Sequence, residues 1–169
     1  RSRSYPSISN LKEVFDGVLA FVDNGVFSAF DLKKERFLSV VSSSGQGIPS
    51  RGMLQKNDSL VWVISGSELH LMKRCASKEG ELRLRVEEKY TGWDNQDNLL
   101  VAITYSSDKK SICLIDEKGR IILLDATNLS FFRVIDLGRT GSLSVNSVLY
   151  DDGRIFGRNV EWIYSDDNR

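Results

Sequence analysis

The chain has 169 residues, of which 41% are hydrophobic and 27% are charged. These proportions are typical of a globular domain and exclude a disordered or fibrous chain. The 23 basic and 23 acidic residues give a formal net charge of zero, so no overall field would attract nucleic acid or an anionic membrane.

The cysteine content and the apolar runs indicate the compartment. Cys75 and Cys113 lack CxxC spacing and are too few for a disulfide framework in a chain of this length. The longest apolar runs, 99–103 and 121–124, are far shorter than the roughly 20 residues of a membrane helix. We therefore expect an intracellular protein, cytoplasmic or nuclear, with no membrane partner.

Taken in chain order, the predicted elements form a repeated hairpin. Four apolar runs each lead into a turn and then into a second run: 18–22 and 26–30, 60–64 and 68–72, 112–115 and 120–124, 154–156 and 160–164. The turns are rich in Asp, Asn, Ser and Gly, as hairpin turns are. Their last residues, Gly25, Ser67, Gly119 and Asn159, are separated by 42, 52 and 40 residues.

Flanking strands enlarge each hairpin to a four-stranded unit. Runs at 36–41, 82–86 and 131–135 follow the first three hairpins, and runs at 52–55, 99–105 and 145–150 precede the last three. A four-stranded antiparallel unit repeated every 40 to 50 residues is typical of a β-propeller blade. We predict an all-β, β-propeller-like fold in a single domain or fragment over 1–169, with blades at about 11–43, 49–90, 97–138 and 143–166.

The two ends of this prediction leave alternatives open. The fourth unit has room for three strands, which gives about three and a half blades. We therefore expect a part of a larger propeller, or one whose last blade is completed by another chain. At the start, Asn10 and Glu13 resemble a capping box, and a short helix before Phe15 is the alternative to a first strand.

Two segments resemble a known family. The sequence Gly-Val-Leu at 17–19, Phe-Asp-Leu at 30–32 and Arg-Phe at 36–37 is similar to the repeat of the kelch-like F-box-associated domains of plants, and Asp125 and Phe132 occupy equivalent places in 110–138. The resemblance implies a propeller that recognises the substrates of an F-box ubiquitin ligase. No F-box, Gly-Gly doublet of kelch repeats or Trp-Asp dipeptide of WD40 blades accompanies it.

A second, shorter resemblance concerns the last unit. The stretch 141–147 followed by Ile163-Tyr164 is similar to the closing blade of WD-type scaffold nucleoporins. That similarity implies a structural subunit of a large complex, such as the nuclear pore.

The residues that could carry catalysis have structural explanations. His70, the single histidine, lies between two leucines in a strand, which favours a structural or surface role over a triad. Asp151-Asp152 belongs to a turn, and adjacent strand positions point to opposite faces. Asp116 and Arg120 bracket a tight turn with charges expected in solvent. We expect no enzyme activity, no metal and no cofactor, and a propeller hydrolase is the least favoured alternative.

Candidate binding residues lie in predicted loops. Trp93 falls in the polar insertion 91–98, where the packing period does not require a tryptophan, and tryptophan and arginine are enriched at binding hot spots. Arg51, Arg139 and Arg158 fall in loops that could border one propeller face. The sequence therefore predicts a protein-interaction module whose partners are proteins and not nucleic acid.

Overall fold

The computed structural model describes residues 8–91, 98–136, 148–151, 154–157 and 160–163. The chain divides into two compact units, Arg1–Tyr90 and Thr91–Arg169. Every regular element in the described ranges is a β-strand. None of them holds a helix long and apolar enough to cross a bilayer.

The first unit consists of two antiparallel four-stranded meanders. Their strands are β1 (Ile8–Phe15), β2 (Val18–Asp23), β3 (Val26–Asp31), β4 (Arg36–Ser42), β5 (Gly52–Gln55), β6 (Leu60–Ser65), β7 (Glu68–Cys75) and β8 (Glu81–Tyr90). The predicted hairpins are β2–β3 and β6–β7, and their registers are continuous. Asn24 and Gly25 both have positive φ, the backbone that a two-residue hairpin turn requires.

A parallel pairing, which the sequence did not predict, joins the two meanders. Ser39–Ser42 of β4 align with Glu81–Leu84 of β8, so the strand order is β1-β2-β3-β4-β8-β7-β6-β5. The end strands β1 and β5 lie close together, and the sheet is nearly closed like a barrel. Both β4 and β8 are fourth strands, and pairing them satisfies backbone groups that would otherwise form an exposed edge.

The main core lies on the inner faces of these meanders. Alternate residues of β2 and β3 point inward, and they meet alternate residues of β6, β7 and β8. The members are small or branched side chains with a few large ones: Val14, Phe15, Val18, Ala20, Val22, Phe27, Ala29, Val40, Ile48, Met53, Val61, Val63, Met72, Leu82 and Leu84. The first meander therefore has one buried face, and its other face points away from this core.

The second unit contains one four-stranded and one three-stranded antiparallel sheet. The strands are β9 (Leu100–Tyr105), β10 (Ser111–Asp116), β11 (Arg120–Asp125), β12 (Phe131–Asp136), β13 (Val148–Asp151), β14 (Arg154–Gly157) and β15 (Val160–Ile163). A cluster of buried residues on the four-stranded sheet includes Cys113, Ile115 and Ile121.

The predicted fold class is confirmed: the protein is all-β and propeller-like, and the described antiparallel meanders contain four, four, four and three strands in chain order. The alternative of an N-terminal helix is wrong, because residues 8–15 pair with β2 through two bulges. Asn10, the proposed helix cap, has φ of +54° within one of them. The single-domain organisation over 1–169 stays a prediction.

Candidate protein-binding surface

The first meander has an apolar face that points away from the core, and its strand register defines that face. Across the strands, Leu19 is opposite Phe30, and Phe30 is opposite Phe37. Residues opposite each other in an antiparallel ladder share a face. By the same register Phe21 and Ser28 belong to it, as do Ile8 and Val26, and Ser39 follows from Phe37 by strand alternation. Two acidic residues share this side, Glu13 opposite Leu19 and Asp23 opposite Val26. We call the eight uncharged residues the outer face.

Large hydrophobic side chains are exposed on and around this face. Phe37 is 72% exposed, Ile8 56% and Val26 42%. Leu11 in the bulge of β1 and Leu32 in the β3–β4 turn flank them, at 61% and 46%. Among the residues whose burial is described, just one further large hydrophobic is exposed, on β8. Five of the six exposed large hydrophobic residues among those with described burial therefore belong to the first meander.

Two aromatic contacts hold Phe37 in place although it faces solvent. Its ring lies 5.1 Å from that of Phe30 at an interplanar angle of 79°, and 6.3 Å from that of Phe21 at 76°. Both are edge-to-face arrangements, which stabilise aromatic pairs by about 1 kcal/mol. Because the ring is positioned before any partner arrives, binding would cost little side-chain entropy.

The turn between β3 and β4 sets the register of Phe37. The Asp31 carboxylate accepts hydrogen bonds from the backbone N–H groups of Lys33 and Lys34, at 2.9 and 3.0 Å. The N–H of Leu32 donates to the carbonyl of Gly17 across the meander, at 2.8 Å. These bonds fix the chain reversal, so Phe37 returns opposite Phe30.

The basic side chains of the β3–β4 turn, beside the outer face, are paired with acidic ones. The Lys33 ammonium lies 2.5 Å from the Asp16 carboxylate, and its hydrogen bond lowers the pKa of Asp16. Glu79 accepts the Arg36 guanidinium at 3.1 Å, with the Lys34 ammonium 3.9 Å away. The surroundings therefore show no excess of one sign that would favour a polyanion.

The second meander has the same kind of outward-pointing apolar surface, but there it is buried. Leu54, Trp62 and Leu71 lie opposite one another in the register of β5, β6 and β7, and all are less than a tenth exposed. The ring centroids of Trp62 and Tyr90 are 6.0 Å apart, and the Lys56 ammonium nitrogen lies 4.7 Å from the centroid of the Trp62 ring. Trp62 therefore lies in the core, and the contrast marks the outer face of the first meander as the uncovered one.

The structure describes one of the four predicted binding residues. Arg51 is exposed directly before β5, and its carbonyl accepts a hydrogen bond of 2.9 Å from the Asn10 amide on β1. Trp93, Arg139 and Arg158 lie outside the described residues. The binding roles of all four stay predictions.

His70 has a structural contact. Its ring nitrogen is 2.6 Å from the Glu68 carboxylate, and its side chain is 12% exposed. The hydrogen bond from His70 is the main cause that lowers the pKa of Glu68. In the described ranges, no group of three or more His, Cys, Asp or Glu side chains could hold a metal ion.

The prediction that the charges of the 116–120 turn lie in solvent is wrong for Asp116. This carboxylate is 1% exposed, and it accepts the backbone N–H groups of Lys118 and Arg120 and the Arg120 guanidinium, at 3.0, 2.9 and 2.7 Å. The turn encloses the Asp116 side chain, and these three donors take the place of the water that would otherwise solvate the carboxylate.

Sequence reasoning missed the outer face. The available signal was the alternation at 36–40, in which Leu38 and Val40 occupy one face while Phe37 occupies the other. A strand with apolar residues on both faces needs a cover on each side. Which side is uncovered depends on the order of the sheets, and the periodicity does not contain that information.

No family model matches the chain, and no curated protein matches it by sequence. Solved structures match it by fold. They include Hsv2 of Kluyveromyces lactis, with a TM-score of 0.54 and 12% identity over 89% of this chain and 45% of Hsv2. The extracellular domain of BT4673 from B. thetaiotaomicron, described as a hybrid two component system, has a TM-score of 0.62 and 14% identity over 89% of this chain and 21% of that domain. The computationally designed protein Ika8 has a TM-score of 0.53 and 14% identity over 89% of this chain and 42% of Ika8.

The chain thus spans less than half the length of each of these structures. At such identities the similarity concerns the fold alone. The neighbours support a β-rich, propeller-type domain and identify neither a kelch nor an F-box-associated family.

Proposed function

We propose that this protein is a non-enzymatic protein-interaction module that binds partners without a covalent step. The observation that carries the proposal is the outer face, where Phe37 is 72% exposed and held by two aromatic neighbours. Contiguous exposed apolar patches on soluble domains are associated with interaction sites. A positioned aromatic ring in such a patch has the character of a binding anchor.

The chemistry of the face favours a protein partner. An apolar sheet surface gains free energy by burying carbon against carbon, at about 25 cal/mol per Å². Nucleic acid would require a basic stripe with unpaired cations, whereas Lys33, Lys34 and Arg36 beside this face have acidic neighbours.

The finer form of the proposal is a substrate-recognition domain of an F-box ubiquitin ligase in the cytoplasm or nucleus. It rests on the resemblance of 16–41 and 110–138 to F-box-associated repeats. Asp31 and Asp125 support the internal equivalence of those segments, because each ends the third strand of its meander and accepts the backbone N–H groups of the second and third residues after it.

A structural scaffold subunit, completed by another chain, is the second candidate. The observation that favours it is the β13–β15 sheet, which has three strands where the other described meanders have four. A strand from another chain would find an antiparallel edge there.

Affinity capture with the tagged full chain tests the proposed function. We expect proteins that co-purify with the wild type to be lost with Phe37→Asp and retained with Phe37→Leu, which keeps an apolar side chain. Recovery of ubiquitin-ligase subunits would support the finer form. An unchanged set of captured proteins in Phe37→Asp would contradict the proposed role of the outer face. In the same assay, Trp93→Ala and Arg51→Ala test the predicted loop contacts.

A further inference from the structure

We propose that the outer face binds an amphipathic helix of another protein, whose apolar stripe covers the phenylalanines and whose basic side chains pair with two carboxylates beside them. This inference rests on the proposed function, because both treat the outer face as an interface. It goes further by naming the chemistry of the partner.

The first argument is the charge at the margin of the outer face. Two acidic side chains, Glu13 and Asp23, share this side of the meander by strand register. Glu13 is exposed and Asp23 half-buried, and among the described residues no cation lies within 4.0 Å of either carboxylate. Their hydrogen-bond donors are neutral, the Gly17 N–H and the Asn24 amide, each at 2.9 Å. Both carboxylates therefore keep their charge available to a partner.

The basic side chains nearest this face have acidic partners of their own. They form ion pairs of 2.5 to 3.9 Å, namely Lys33 with Asp16, Lys34 and Arg36 with Glu79, and Arg83 with Glu81. Asp16 forms the hydrogen bond with Lys33, whereas Glu13 acts on that ammonium only at longer range. The charge left without a counter-ion on this side is negative. It therefore complements a partner that carries Lys or Arg beside its apolar residues.

The second argument concerns the backbone of the partner. The central strands of the face, β2 and β3, are paired on both sides, with β1 and β4. They offer no free edge to an extended peptide, which would bury N–H and C=O groups without partners when laid on the face. A helix satisfies its backbone groups internally and presents side chains alone. A helix therefore suits this face better than an extended segment.

The third argument is the spacing of the carboxylates. Glu13 lies opposite Leu19, and Asp23 follows Leu19 four residues later along β2. At about 3.3 Å per residue, the two carboxylates are separated by about 13 Å along the strands. A helix rises about 1.5 Å per residue, so basic residues about nine positions apart on one flank match both. The apolar stripe of such a helix would cover the centre of the face, formed by Leu19, Phe21, Phe30 and Phe37.

Fluorescence anisotropy of the full chain with two labelled synthetic peptides tests the proposal. Both probes are amphipathic helices of about 18 residues with a leucine stripe, and their flank carries either lysines or glutamates about nine residues apart. We expect the wild type to bind the lysine peptide at least about tenfold more tightly than the glutamate peptide at low salt. This preference should shrink as salt rises, because exposed charges are screened.

Neutral variants of the two carboxylates test the charge argument. Glu13→Gln and Asp23→Asn keep an acceptor oxygen, and each should reduce the preference for the lysine peptide about threefold. The matched control is Asp58→Asn, which removes the charge of an exposed aspartate between β5 and β6. It should leave the preference unchanged.

Uncharged variants of the apolar centre test the position of the helix. Phe37→Ser should weaken binding of the lysine peptide at least about tenfold. Val86→Ser makes the same kind of change at an exposed apolar residue of β8 and should bind like the wild type. Far-ultraviolet circular dichroism verifies that each variant is folded.

Three results would overturn the proposal. The first is equal affinity for the two peptides, and the second is a lysine preference that persists when Glu13→Gln and Asp23→Asn are combined. The third is a folded Phe37→Ser variant that binds the lysine peptide normally. Self-association of the full chain through Phe37, with no peptide bound, would also overturn it and identify a second copy as the occupant.

The outcomes separate this inference from the proposed function. A chain that binds neither peptide but captures other proteins through Phe37 would overturn the basic helix and leave the interaction module intact. Binding of the lysine peptide that depends on Phe37, with no protein captured, would support the inference and contradict the recognition role.

Discussion

At the scale of single residues, Asp116 shows how a turn can hold a buried charge. Its carboxylate binds two backbone N–H groups and the Arg120 guanidinium, whose side chain is 18% exposed. Removing either Asp116 or Arg120 leaves the other charge buried without its partner. The resulting loss of stability is larger than the net stabilisation that the ion pair provides.

We therefore expect Asp116→Ala to lower the free energy of unfolding by about 3 kcal/mol, measured by urea denaturation. Asp116→Asn should cost less, because its amide oxygen still accepts the backbone N–H groups. In the cycle with Arg120→Ala, the double variant should lose less than the sum of the single losses. Strict additivity would show that the ion pair has no energetic role.

The two cysteines differ in environment, and their reactivity should differ accordingly. Cys113 on β10 is 1% exposed, and burial raises the pKa of its thiol to about 12. Cys75 at the end of β7 is half-buried. Because the thiolate is the reactive form, a disulfide reagent should modify Cys75 in the native protein and Cys113 after unfolding. A native Cys75→Ala variant that still reacts quickly would contradict the buried position of Cys113.

At the scale of elements, the repeated turn after each third strand can be compared directly. Asp31 accepts the N–H groups of Lys33 and Lys34, and Asp125 accepts those of Thr127 and Asn128, all between 2.8 and 3.1 Å. Both residues therefore close the reversal into the fourth strand in the same way.

Replacing either aspartate with alanine should lower the free energy of unfolding by about 1 kcal/mol. The variant loses the acceptor of two backbone N–H groups, and water at this exposed turn replaces it only in part. Asp31→Asn and Asp125→Asn are the controls, since asparagine keeps an acceptor oxygen and should lose less. Urea denaturation of the four variants measures the effect. A neutral Asp125→Ala beside a destabilised Asp31→Ala would show that the two turns are not equivalent.

At the scale of the molecule, paired surface carboxylates should contribute to the dependence of stability on acid pH. Hydrogen bonds from His70, Arg83 and Arg85 are the main causes that lower the pKa values of Glu68, Glu81 and Glu87 from their ordinary 4.5. A carboxyl group whose pKa is lower in the folded state stabilises that state above its unfolded pKa. This contribution is lost as the pH falls through the folded pKa.

The free energy of unfolding should therefore fall as the pH drops below about 4.5. Glu68→Gln should remove one contribution, so the difference between wild type and variant should shrink between pH 5 and pH 3. Urea denaturation at intermediate pH values measures this difference. A constant difference across the range would show that the His70 contact has no part in the acid sensitivity.

The sequence specified the strands well and their assembly less well. Continuous apolar runs such as 60–64 and turn residues such as Asn24-Gly25 predict hairpins because local backbone and side-chain preferences act over a few residues. The parallel β4–β8 pairing and the uncovered outer face depend on contacts between strands distant in sequence, such as Val40 and Leu82. The sequence did not predict the burial of Asp116, because the backbone N–H groups that solvate its carboxylate are brought together only when the turn has formed.

The central claim is that the first meander has one face in the core and one apolar face without a cover. Urea unfolding of dilute Phe37→Asp beside Phe27→Asp tests it most directly, because Phe27 is 1% exposed on the neighbouring strand. We predict a loss of at most about 2 kcal/mol for Phe37→Asp and about 4 kcal/mol or more for Phe27→Asp. A loss for Phe37→Asp as large as that for Phe27→Asp would place Phe37 in the core and contradict the account.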